Sequence, residues 1–117
     1  MNTNIILNIT IADTSGCCRE LNITEHNEAW YSDKDRPIDQ LRRSRRDVSD
    51  FLWQVEGLTQ NWQKCYGSGQ ATDPKSWMVI LEKNQQMMTY RGNDEYPPNW
   101  KEFIEALDSF LEQDNRK

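Results

Sequence analysis

The run Tyr96-Pro97-Pro98-Asn99-Trp100 obliges an extended segment to become a helix. Each proline holds φ near about −65° and keeps the residue before it out of helical geometry, so Tyr96 and Pro97 are extended and the helix starts after them. Asn99 is placed as its N-cap, with Glu102 three residues on in the capping-box position. Trp100, Phe103, Ile104, Leu107, Phe110 and Leu111 then recur at spacings of three and four, a single apolar face that needs a sheet to cover.

The N-terminal part supplies that sheet. From Asn4 to Ala12, Ile5, Leu7, Ile9 and Ile11 alternate with polar residues, which predicts a strand with one buried face. Arg19 to Thr24 and Glu28 to Ser32 read as two more strands, joined by a turn at Glu25-His26-Asn27. Asp33 to Pro37 reads as a solvated connector, after which the period changes from two to nearly four. Ile38, Leu41, Val48, Phe51, Leu52, Val55 and Leu58 share one helical stripe. Its firm part runs from Ser44 to Glu56, with Ser44 and Asp47 as a cap pair, Ile38 to Arg43 as an irregular approach and Gly57 as C-terminal cap. Beyond Trp62 and Tyr66, the small polar run from Gly67 to Pro74 is the longest loop. Trp77 to Leu81 is apolar on both faces, which predicts a central strand; Lys83 to Gln86 turns it back into Met87 to Arg91. The order β-β-β-α-β-β-α predicts an α+β fold: one domain over residues 1–117, with an antiparallel sheet of about five strands covered on one face by two helices.

A formal net charge of −5 argues against a dedicated nucleic-acid binder and points to a basic protein surface as the natural partner. Cys17, Cys18 and Cys65 are odd in number and two are adjacent, which suits a reducing compartment, so a cytoplasmic location is expected. The isoleucine-rich start is too short and too polar for a signal peptide or a membrane span. Without secretion, the sequons Asn8-Ile9-Thr10 and Asn22-Ile23-Thr24 are coincidences of strand composition. A monomer or weak dimer is expected.

Motifs for chemistry are missing. The three cysteines and His26 lack zinc-ligand spacing, so no metal is expected. Gly67-Ser68-Gly69 lacks the lysine and third glycine of a phosphate loop, and no cofactor is implied. The single histidine, His26, has no nucleophile context around it, so the chain is not expected to be an enzyme.

Two charged tracts remain. Arg42, Arg43, Arg45 and Arg46 sit in a region, residues 33–64, of seven positive and six negative charges, so i to i+4 pairs such as Arg43 with Asp47 and Arg46 with Asp50 can answer them as a solvated face. From Gly92 to Lys117 there are seven acidic and three basic residues. The candidate partner-binding surface joins Asp94, Glu95 and Tyr96 of the loop to Glu102, Glu105 and Asp108 of the helix, carboxylates that steer a basic partner beside an aromatic contact. Trp53 lies off the stripe of Phe51, Leu52 and Val55, so it or Tyr96 is exposed as an anchor.

The pattern Trp62-x-x-x-Tyr66, Trp77 to Leu81, Tyr90-Arg91-Gly92 and Tyr96-Pro97-x-Asn99-Trp100-x-x-Phe103 resembles small bacterial α+β proteins similar to the immunity proteins of polymorphic and contact-dependent toxin systems. The resemblance implies a cytosolic, acidic, non-catalytic binder that occludes a cognate toxin domain, often a nuclease. It carries over no site residue. The alternatives are a phage-derived acidic mimic that inhibits a nucleic-acid enzyme, and a small enzyme, which would need a pocket gathering His26 with cysteines or carboxylates.

Overall fold

The computed structural model describes residues 4–12, 18–67, 76–93 and 95–112. The fold is α+β, and the strands form one sheet: β1 (Ile5–Ala12), β2 (Cys18–Thr24), β3 (Ala29–Asp33), β4 (Arg36–Leu41), β5 (Cys65–Tyr66), β6 (Ser76–Lys83) and β7 (Gln86–Asn93). Helix α1 (Arg45–Leu58) lies between β4 and β5, and α2 (Trp100–Glu112) follows β7. The order across the sheet is β4-β3-β2-β1-β6-β7-β5.

Alternation fixes which residues face the helices. Leu7 and Ile9 pair with Ile23 and Leu21 on one side and with Leu81 and Val79 on the other, and all six are buried. Trp77, Tyr90, Ala29 and Tyr31 complete that face, against Val48, Phe51 and Val55 of α1 and Phe103, Leu107 and Phe110 of α2. Phe51 and Phe110 stack with ring centroids 4.3 Å apart where the helices meet. As expected, β6 is central; Met78 and Ile80 are half-buried on its other face. On that face both sequon asparagines sit inside strands, Asn8 Nδ2 donating to Asn22 Oδ1 at 2.6 Å.

Short loops close the hairpins. Thr24, buried, accepts the His26 and Glu28 amides on its hydroxyl, with Asn27 at φ 62°. Asn84 and Gln85, at φ 51° and 67°, make the two-residue turn between β6 and β7, since both central residues of a type I′ turn need positive φ.

Four expectations need correction. The stretch read as connector and irregular approach is a hairpin and an edge strand: Asp33 Oδ1 accepts the Asp35 amide at 2.8 Å, and β4 pairs with β3 from Arg36 to Leu41. The two residues of β5 add a seventh strand and run parallel to β7, so the sheet is mixed rather than antiparallel. Gly57 lies inside α1; the cap is Thr59, whose hydroxyl donates to Val55 O at 2.9 Å. Asn99 does hold the N-cap position, its carbonyl accepting the Phe103 amide at 3.1 Å, but its side chain does not cap: Oδ1 accepts from Trp62 Nε1 at 2.7 Å and Nδ2 donates to Leu58 O at 2.8 Å. That pair of bonds ties the start of α2 to the end of α1. Ser44 does cap α1, accepting the Asp47 amide at 3.0 Å.

Candidate functional site

Side by side, the helices leave a groove between their outer faces. Residues three, four and seven apart share a helix face, so α1 presents Trp53, Glu56 and Gly57, with Gln60 just beyond its end, and α2 presents Glu102, Glu105, Ala106 and Ser109. The cavity is about 830 Å3, with Lys83 of β6 at one side. Glu56, Glu102 and Glu105 outnumber that lysine, so the groove is acidic. Trp53 is 77% exposed, the most exposed large apolar side chain described.

The fold sorts the sequence-predicted residues into three groups. Glu102 and Glu105 line the groove together. Glu95 and Tyr96 sit at the N-terminal end of α2: the Glu95 carbonyl accepts from Trp77 Nε1 at 2.9 Å, and the half-exposed Tyr96 ring lies 5.1 Å from that of Trp100. Asp108 turns away to the sheet, 2.7 Å from Arg19. Asp94 falls outside the described residues. Steps of three residues fall about 60° short of a turn, so from Glu102 to Asp108 the row drifts about 120° around the helix. This drift carries Asp108 out of the groove.

Around Asp108 the charges are answered within the fold. Arg19 Nε donates to Tyr31 Oη at 3.3 Å, and Tyr31 Oη donates to Asp33 Oδ2 at 2.9 Å. Burial pulls the Arg19 guanidinium down, but bonds to Tyr31 and Asp108 outweigh it and hold it above its ordinary value. Burial, with Asp33 close by, pushes the Tyr31 phenol up. The Asp35 amide above all, then the Tyr31 hydroxyl and Arg36, holds Asp33 below the usual carboxylate range. Arg43 caps the far end of α2, donating to Phe110 O at 2.9 Å and Leu111 O at 3.0 Å, where cations suit helix C-terminal carbonyls. Arg42, Arg45 and Arg46 are exposed.

A second concavity of about 360 Å3 lies at the β5 end of the sheet, lined by Cys65, Tyr66, Met78 and Arg91 among others. Cys18 and Cys65 are free and exposed. His26, in the β2–β3 turn, has its Nε2 3.8 Å from Glu25 and lines none of the concavities described. Among the described residues no group of three or more His, Cys, Asp or Glu side chains is placed to hold a metal, and no helix is long and apolar enough to cross a membrane.

The candidate surface from sequence omits Glu56 and Trp53. Glu56 is three residues from Trp53 and, like it, off the buried positions Val48, Phe51 and Val55, a signal that puts both on the outer face of α1 but not beside α2. No protein-family model, curated protein or solved structure matches this chain.

Proposed function

We propose that this chain is an immunity protein: it binds a cognate toxin domain through the α1–α2 groove and covers the toxin's active site. The exposed Trp53 at the edge of an acidic groove carries this reading. An aromatic side chain buries roughly 150–250 Å2 when covered, and interface anchors are drawn from tryptophan, tyrosine and arginine. Glu56, Glu102 and Glu105 supply a field that speeds the approach of a basic surface, of the kind a nuclease offers to its substrate phosphates. The work is done in the cytoplasm of the toxin-producing cell, with no cofactor and no bond made or broken.

A tagged chain passed over lysate of its source cells at moderate salt tests this, with mass spectrometry of what stays bound. The expected result is one stoichiometric protein with a toxin domain, retained at least about tenfold less by Trp53→Ala. Retention of no such protein, or equal retention by the variant, overturns the assignment.

A further inference from the structure

The sheet has two edges of different chemistry. Strand β4 carries Arg36, Pro37 and Asp39, the charges and proline that keep an edge from pairing with another chain. Strand β7 lacks such protection from Gln86 to Tyr90, where the sequence is Gln-Met-Met-Thr-Tyr. Strand β5 closes this edge only at Arg91 and Gly92.

The ladder shows which groups β7 leaves open. The Arg91 N–H donates to Lys64 O at 3.0 Å, away from β6. Because main-chain groups alternate sides along a strand, Thr89 and Met87 direct their N–H and C=O the same way, while Tyr90, Met88 and Gln86 bond to β6. No strand among the described residues meets Met87 or Thr89 on that side. Met87 is 51% exposed and Thr89 is exposed.

We propose that this stretch of β7 pairs antiparallel with the same stretch of a second copy of the chain, Met88 opposite Met88. The window is bounded by the Asn84-Gln85 turn and by β5, so its centre is Met88. A two-fold axis there sets Met87 opposite Thr89 twice, and both pairs consist of outward-facing residues that exchange their N–H and C=O bonds. A one-residue slip breaks that match. The strip has no charge, so two chains of net charge −5 meet there without like charges face to face.

Sedimentation across about 10 µM to 1 mM, with amide hydrogen exchange on the same samples, tests this over a range suited to a weak dimer. The mass should rise from 13.9 kDa toward twice that value, with protection gained at Met87 and Thr89 and none at Ile38 of β4. Thr89→Pro removes an outward donor without a bond to β6, and Met87→Lys charges the edge; each should weaken self-association at least about tenfold. If Thr89→Pro fails to fold, Met87→Lys decides alone. A mass fixed at the monomer value, a dimer indifferent to Met87→Lys, or protection of Thr89 only when another protein is added would each overturn the pairing.

Discussion

Helix α2 is held at its two ends by opposite chemistry. Its N-terminal end is aromatic: Trp62 lies within 6.0 Å, centroid to centroid, of Trp77, Tyr90, Trp100 and Phe103, and donates to Asn99. Its C-terminal end is ionic, with Asp108 on Arg19 and Arg43 across the last carbonyls. The aromatic end contains no ion pair, whereas the Arg19–Asp108 pair at the other is screened by salt. Between them the Glu102 and Glu105 side chains make no ion pair or hydrogen bond with the described residues, and this separation leaves their carboxylates free to serve a partner.

Removing the aromatic end should cost most. Trp62→Ala, at a side chain only 8% exposed, should destabilise by about 3–5 kcal/mol in denaturant unfolding. A Cβ at position 92 would run into the Trp77 indole and the Glu95 carbonyl, so Gly92→Ala should cost about 1–3 kcal/mol by overpacking. At the ionic end, Arg43→Met leaves two carbonyls without their donor and should cost about 1–2 kcal/mol. The Arg19–Asp108 pair is partly solvated, its side chains 28% and 46% exposed, so Asp108→Asn should cost less than about 1 kcal/mol, with the difference fading in high salt.

The pH dependence follows from Asp33, whose folded pKa lies below its unfolded value. Its contribution is present above the unfolded carboxylate range near about pH 4 and is lost as pH falls through the folded value. Asp33→Asn should therefore flatten the acid limb of a stability profile. Equal acid sensitivity in wild type and variant would show that the β3–β4 turn around Asp33 does not set that limb. The smallest effect is expected at Glu105→Lys, within about 0.5 kcal/mol of wild type as for an exposed site, while Glu102→Lys puts a cation in the first turn of α2 and should cost about 0.3–1 kcal/mol.

Local signals were legible in the sequence. Both helices follow from apolar spacing, the start of α1 from Ser44, and the central place of β6 from apolar residues on both faces. Strand β4 left no such trace, because Arg-Pro-Ile-Asp-Gln-Leu at an edge buries almost nothing and so shows no alternation; pairing with β3 and the turn at Asp33 make it a strand. Strand β5 is two residues set by a parallel partner some 25 positions on, beyond any local pattern. For the candidate site, spacing on α2 found Glu102 and Glu105 but kept Asp108 with them, since one helix read alone does not show which side its neighbour takes. Trp53 was legible as an off-stripe aromatic, but its neighbourhood with α2 was not.

The groove is best tested by the association rate of the captured toxin domain with wild type and with the Glu102→Lys, Glu105→Lys double variant, at about 50 and 500 mM salt, conditions that span strong and weak screening. The account predicts a wild-type rate that falls at least about tenfold with salt and a variant that is slow at both while still folded. Equal rates for the two chains, insensitive to salt, would contradict it.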